Sequence, residues 1–233
     1  MIDLRLEAVS KYVIGTKLLD VGSDHAYLPI YLINNNQIDS AVAGEIVKGP
    51  YENSISNIKG HNLEDVIEVR LGSGLSVIKD SEKFDTITIC GMGGPLIASI
   101  IKDGVKYLNN RPRFVISSNI YGESVRRQMN DEGYSIVQEE INYYNDKFYE
   151  LMVFDYGKTD YTDLEYKFGP VNLSERTELF LLKLKKDKSH LEHIKKQIEM
   201  SGKTNHKLKE ITDEINLISQ VINNEYKRVN KKA

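Results

Sequence analysis

The 233-residue sequence predicts an α/β fold: a mostly parallel sheet ending in an antiparallel edge hairpin, followed by an α-helical antiparallel coiled-coil hairpin. Three observations predict it. Short β-branched runs alternate with helical stretches from residue 17 to 156. The last two strand candidates follow one another with no helix between them. After about residue 172 a 3/4 spacing of apolar residues takes over. Alternation implies βαβ units with helices on both faces of the sheet, consecutive strands imply a hairpin, and the 3/4 stripe implies a helical seam.

The strand candidates are Lys17–Val21, Ala41–Gly44, Ile67–Leu71, Phe84–Cys90, Arg113–Ser117, Ser135–Tyr144 and Tyr149–Tyr156. Helical patterns fall at 25–34, 48–59, 74–79, 94–102 and 121–132. Asn145–Lys147 alone separates the last two strands, which sets the hairpin at the end of the sheet. In the C-terminal stretch, Leu191, Ile194 and Ile198 form one stripe, and Leu208, Ile211, Ile215, Ile218 and Ile222 form another. Ser201-Gly202 between them reads as a chain reversal. The expectation is a helix over 186–200 against one over 204–229, preceded by a shorter helix capped by Ser174. Gly169-Pro170 marks the boundary, giving domains 1–170 and 171–233. Such a stripe can close within one chain or between two, so both a monomer and a homodimer remain open.

Composition bounds the class. Forty per cent hydrophobic and 28% charged residues describe an ordinary globular chain. No apolar run is long enough for a membrane span, and the N-terminus carries no secretory h-region. The single cysteine, Cys90, excludes an internal disulfide and fits a reducing, cytoplasmic compartment. The net charge of −3 hides an asymmetry: residues 1–170 balance to −8, residues 171–233 to +5. A basic tail after an acidic body is either a solvated helical face or a phosphate-binding surface. Lys183, Lys185, Lys186 and Lys188 cluster where the tail begins.

The chemistry starts at the end of the first strand, Leu18-Leu19-Asp20-Val21-Gly22-Ser23-Asp24-His25. Ligands of such sheets bind outside the carboxyl ends of the strands. Gly22 permits close backbone approach, and N–H groups at the following helix start can take an anion. The three-glycine dinucleotide fingerprint is absent. A cofactor with ammonium and carboxylate ends fits better, Asp20 taking the ammonium and the turn taking the carboxylate. Gly44-Glu45-Ile46 closes the second strand, where a carboxylate bonds ribose hydroxyls. Gly72-Ser73-Gly74 after strand three leaves room for an adenine, with Ser73 able to bond it. Cys90-Gly91-Met92-Gly93-Gly94 opens strand four into a bare turn, where backbone carbonyls can bond an amine and Met92 can pack on a base. Asp85 begins that strand and reads as structural; Cys90 reads as a small buried residue.

Five alternations followed by a hairpin is the element order of Rossmann-like methyltransferases. Asp20–Pro29 (DVGSDHAYLP), Gly44-Glu45, Arg70–Leu75 (RLGSGL), Cys90–Gly94 (CGMGG) and Ser117–Asn119 (SSN) together resemble the TrmK family, the bacterial tRNA (adenine-22, N1)-methyltransferases. The DHAYLP and GMGG strings are specific to it, and Ser73 departs from the aspartate expected there. The resemblance covers the whole chain, since that family also carries a C-terminal coiled coil. It implies S-adenosyl-L-methionine as cofactor and tRNA as partner, with methyl transfer to N1 of an adenine. N1 is neutral at pH 7, so alignment and exclusion of water carry most of the catalysis. Asp24 is then the candidate to stabilise the methylated base or take a proton from its amine, with His25 either assisting or simply capping and packing. Tyr27, Asn119 and Tyr121 are candidates to contact an extruded base. The remaining alternatives are a methyltransferase of another substrate and a non-catalytic Rossmann-like RNA-binding protein.

Overall fold

A computed structural model describes residues 2–200 and 206–225. By internal contacts the chain divides into two compact units, 1–172 and 173–233. The first holds one seven-stranded sheet of order β3-β2-β1-β4-β5-β7-β6. Its strands are β1 (Lys17–Val21), β2 (Ser40–Glu45), β3 (Ile67–Leu71), β4 (Thr86–Met92), β5 (Arg113–Ser118), β6 (Tyr134–Tyr144) and β7 (Lys147–Tyr156). The first five are parallel, and β7 runs antiparallel between β5 and β6. The turn joining β6 to β7 is Asn145-Asp146, with φ of +47° and +60°. Two successive positive-φ residues are what a two-residue hairpin of type I′ needs, and Asn and Asp tolerate it.

The parallel strands β1, β2, β4 and β5 are buried on both faces, so their side chains divide by parity, while the edge strand β3 is partly exposed. Leu19, Val42, Ile87, Ile89, Phe114 and Ile116 pack on one face with Ile97 and Ile101 of α4 (Gly94–Gly104) and Val125 and Met129 of α5 (Gly122–Asp131). Leu18, Ala41, Ala43, Ile67 and Val115 pack on the other face. There they meet α1 (Leu4–Ser10), α2 (Tyr27–Asn34) and α3 (Lys48–Gly60) through Val9, Leu28, Leu32 and Ile58. Buried apolar surface is worth about 25 cal/mol per Å², so these two layers carry the fold. Asp85 lies at the N-terminal end of β4 and accepts the amides of Thr16 (2.8 Å) and Lys17 (2.9 Å), the structural role expected of it. The stretch expected to be helical at 74–79 is a single 3₁₀ turn, Gly74–Val77.

A buried ion network fixes the outer end of the sheet. Arg126 of α5 is fully buried and donates to Glu139 of β6 and Glu150 of β7, both at 2.7 Å. It also donates to the carbonyls of Tyr166 and Lys167 at 3.3 Å, at the end of α6 (Asp163–Phe168). Glu139 Oε2 accepts from the amides of Val171 (3.0 Å) and Asn172 (3.4 Å) in the first turn of α7 (Pro170–Glu175). The expected cap at Ser174 is therefore corrected: Ser174 lies in the last turn of α7, and its first turn is satisfied by Glu139. Proline suits a first turn because it has no N–H to satisfy there.

The second unit contains α8 (Glu178–Met200) and α9 (His206–Asn223), so the first long helix starts eight residues before the expected 186. Phe180 and Leu184 extend its apolar stripe N-terminally and are buried, as are Ile211, Ile218 and Val221 of α9. Arg176, just before α8, donates to the carbonyls of Val221 (2.7 Å) and Ile222 (2.9 Å). The start of α8 thus lies beside the end of α9, and the helices run antiparallel. The expected reversal at Ser201-Gly202 and the ends of the expected 204–229 helix lie outside the described residues. No helix among the described residues is long and apolar enough to cross a membrane.

Candidate active site

The strand order reverses between β1 and β4, which opens a crevice at the carboxyl ends of these strands. Asp20, Gly22, Ser23, Glu45, Gly72, Gly91 and Asn119 lie at or just beyond the carboxyl ends of β1, β2, β3, β4 and β5. The β1 turn is held from below by the β2 end: Gly22 and Ser23 donate their amides to the Gly44 carbonyl at 2.9 and 3.3 Å, and Asp24 donates its amide to Glu45 Oε1. Gly22 has φ +68°, and a side chain there would run into the Met92 methyl group. Only glycine tolerates both conditions without strain. Asp20 is buried, and its two oxygens accept from Ser23 Oγ and Thr88 Oγ1, each at 2.6 Å. Burial pushes its carboxyl up, against those hydrogen bonds and the nearby Arg5 charge.

The amides of Gly22, Ser23 and Asp24 bond Gly44 and Glu45, so the β1 turn offers an anion no amide ahead of the start of α2. The reason is the left-handed path that follows: Asp24, His25 and Ala26 have φ of +36°, +71° and +57°. That path bends the chain back over β2 before α2 begins. Three successive non-glycine residues in this region carry strain of order 1–3 kcal/mol each, a feature that clusters at functional sites. Asn57 of α3 helps hold the bend by donating to the His25 carbonyl at 3.0 Å. The His25 ring stacks on Tyr27, 5.2 Å between centroids at 21°, and its Nε2 lies 3.5 Å from Asp24 Oδ1. Asp24 is 74% exposed.

Glu45 is buried at the end of β2, and burial raises its carboxyl above the ordinary value. No described residue donates to its Oε2. Beside it Ile46 and Leu71 are exposed apolar residues, and Gly72 donates its amide to the Glu45 carbonyl at 2.7 Å. Ser73 is exposed on the loop after β3. Arg70 braces this loop, bonding the Val77 carbonyl (2.9 Å) and Glu82 (2.5 Å). A buried acid with a free oxygen beside an apolar floor fits an adenosine, and the glycine at β1 fits a tail lying close to the backbone.

On the other side of the crevice, β4 bulges at Gly91, between the Cys90–Ser117 and Met92–Ser118 pairings. Bulges of this kind re-aim side chains next to active sites. Asn119 ties the β5 loop to this turn, its side-chain amide donating to the Gly91 carbonyl (3.0 Å) and its backbone amide to the Met92 carbonyl (3.0 Å). Gly94 lies directly against the Tyr121 carbonyl. Tyr121, Tyr27 and Ile120 are all exposed. Cys90 has its thiol pushed up by burial and by Asp20, the opposite of what a nucleophile requires.

A family model for tRNA (adenine(22)-N(1))-methyltransferase, TrmK, matches residues 18–220. The chain belongs to the TrmK family. It is 36% identical over 228 residues to the tRNA (adenine(22)-N(1))-methyltransferase of Bacillus subtilis strain 168, covering 94% of this chain and 95% of that one. A Streptococcus pneumoniae structure in complex with S-adenosyl-L-methionine superposes with a TM-score of 0.87 at 37% identity, over 95% of this chain and all of that one. The M. capricolum TrmK structure with S-adenosyl-homocysteine gives 0.85 at 30%, over 96% and 98%. The TrmK family resemblance read from the motifs is thereby established.

One residue of the crevice escaped the sequence reading. Arg5 of α1 reaches the Gly91 turn, yet it belongs to no motif, and the seven-residue α1 is too short to show a periodic stripe. The only local signal is Asp3, which caps α1 by accepting the Leu6 amide at 2.9 Å.

Proposed function

We infer that this protein is an S-adenosyl-L-methionine-dependent methyltransferase that modifies N1 of adenine 22 in tRNA. The observation that carries it is the family match through both units, joined to a crevice whose polar groups suit an adenosine with an amino-acid tail. Glu45 receives the ribose hydroxyls through Oε2. Ile46, Gly72 and Ser73 flank the adenine, and Asp20, Gly22, Ser23 and Gly91 flank the methionine end. When bound, the cofactor supplies an electrophilic methyl group on its sulfonium.

The protein's own work is alignment and exclusion of water. The target adenine leaves its stack and lies between Tyr27 and Tyr121, over the Met92-Gly93 turn. The Asn119 amide nitrogen is engaged by Gly91, which leaves Oδ1 as acceptor for the N6 amine. N1 attacks as a neutral nucleophile, so no base is needed beforehand. The base becomes cationic on methylation, and the exposed Asp24 carboxylate stabilises that charge or receives a proton from N6. His25 holds Asp24 and Tyr27 in place. The basic second unit grips the tRNA phosphates, with Lys183, Lys185, Lys186 and Lys188 nearest the catalytic unit in sequence. This division gives residues 1–170 the chemistry and 171–233 the RNA. A tRNA substrate and a single cysteine agree with a cytoplasmic protein.

The test is transfer of labelled methyl to unmodified tRNA carrying A22 or G22. Only the A22 tRNA should be labelled, and Asp24→Asn should lower kcat on the order of 100-fold while cofactor affinity holds. Equal labelling of both tRNAs would remove the substrate assignment; an unchanged kcat would remove the role of Asp24.

A further inference from the structure

The β6–β7 hairpin runs past the rim of the sheet on which the crevice opens. Glu150 of β7 pairs with Ser118, the last residue of β5. Tyr149, Phe148 and Lys147, with their partners Asn142, Tyr143 and Tyr144, therefore stand beyond the carboxyl end of β5. At about 3.4 Å per residue the overhang is roughly 10 Å. Its side chains divide by parity. Glu150 faces α5, its carboxylate lying against Gly122 at the start of that helix. Phe148, two residues away, shares that face, and so does Tyr143 opposite Phe148. The two rings pack 4.8 Å apart at 46°, and Tyr143 donates its hydroxyl to Asp146 at 3.0 Å.

This face continues that of the loop beside the crevice. Immediately before Gly122 come Ile120 and Tyr121, 56% and 69% exposed, while Tyr143 is 39% exposed. The loop is pinned, since the Ile120 carbonyl accepts from the Gly94 amide and from Ser118 Oγ, both at 2.8 Å. The hairpin is fixed by its two-residue turn. Surfaces held this way lose little freedom on binding, and apolar groups exposed together mark interaction sites. Asp146 and Lys147 at the tip balance in charge, so this surface suits a ring better than a phosphate. The family's substrate is tRNA, and an adenine that leaves its stack strips its neighbour of a stacking partner. Every base has a π-face, so aromatic side chains can replace that partner without reading sequence.

We propose that the Tyr143–Phe148 ridge of the hairpin is a second RNA-contacting surface, stacking on a nucleotide next to the adenine withdrawn into the crevice. This rests on the tRNA reading above, and it gives the catalytic unit a hold on the RNA that works by stacking in place of charge.

Tyr143 is the more exposed ring, so its replacement disturbs the fold least. Tyr143→Ala should weaken tRNA binding about 5- to 100-fold, the range for a lost base–aromatic stack. Tyr143→Phe and Tyr143→Trp, which keep a ring, should stay within about twofold. S-adenosylhomocysteine affinity and the slope of log affinity against log salt should both hold, since no phosphate contact is lost. The two nucleotides flanking A22 are then made abasic in turn. At the stacked position the deficit of Tyr143→Ala should disappear, because its partner is already gone. Parent-like tRNA binding by Tyr143→Ala would overturn the proposal. The same deficit on both abasic tRNAs would overturn it in favour of a contact to the RNA backbone. A parallel loss of S-adenosylhomocysteine affinity would mean that the ring only supports the fold. Failure of the parent protein to methylate A22 tRNA would instead refute the substrate reading, and this proposal with it.

Discussion

Glu45 shows how a residue proposed to hold the cofactor can work against stability. Burial raises its carboxyl, the Asp24 amide opposes the rise, and the charges of Asp24 and Asp20 add to it. A carboxyl whose folded value is raised contributes its full stability below the ordinary 4.5 and loses it as pH rises through the folded value. At neutral pH the ionised Glu45 therefore destabilises the fold it sits in. Glu45→Gln, which keeps an oxygen for the Asp24 amide, should unfold at the same or a higher temperature than the parent at pH 7, with the difference vanishing below about pH 4.5. Its affinity for S-adenosylhomocysteine should fall about tenfold or more, because the charge-assisted bond proposed to the ribose becomes neutral. A lower midpoint at pH 7 would show instead that the charge supports the fold. At this scale the sequence was informative about which residues meet and silent about how they are wired. Strand-end offsets were enough to bring Asp20, Gly22, Glu45, Gly91 and Asn119 to one crevice. The left-handed path of Asp24, His25 and Ala26 is only weakly signalled, since Asp and His favour that region among non-glycine residues and Ala does not.

Among the elements, α5, β6, β7, α6 and α7 meet on one buried cation. Burial opposes the charge of Arg126, and Glu139 and Glu150 more than offset that penalty. Removing one partner of such a network is far worse than replacing the whole, since the survivors stay charged in a dry site. Arg126→Leu should cost about 3–5 kcal/mol in urea unfolding at pH 7. The deficit should narrow on acidification as Glu139, already raised by burial, takes up its proton. A loss below about 1 kcal/mol would show that the network is dispensable. The strands flanking this network were readable because β-branched runs are bounded by turn residues, and the hairpin because so few residues separate its strands. Three helices were not read. α1 is too short for periodicity. α6 announces itself only through the capping box of Thr162 and Glu165, a signal that was present in the sequence. α7 was displaced because Ser174 looked like a cap, whereas the capping group, Glu139, comes from a strand 32 residues away in sequence from Val171.

At the scale of the molecule, an acidic catalytic unit precedes a basic helical one. Lys183 and Lys188 are half-buried and paired with Asp187 and Glu192 one turn on, at 2.8 and 3.7 Å, while Lys185 and Lys186 are exposed. As the more exposed of the four, Lys185 and Lys186 should be the first to meet a phosphate. Reversing both to Glu should weaken tRNA binding, flatten the log–log salt dependence by up to about two units, and leave S-adenosylhomocysteine affinity unchanged. An unaltered salt slope would leave the lysines as solvation only. The contact between Glu45 and the Asp24 amide has a consequence at this scale too. The proposed seat of the ribose and the loop proposed to meet the base share one hydrogen bond, so filling the first biases the second. Coupling of that kind is reciprocal: if nucleoside occupancy orders the Asp24–Ala26 bend, S-adenosylhomocysteine should tighten tRNA binding by the factor by which tRNA tightens its own. The enzyme would then load its two substrates in a preferred sequence, nucleoside before nucleic acid, and a tRNA affinity indifferent to the nucleoside would break that order.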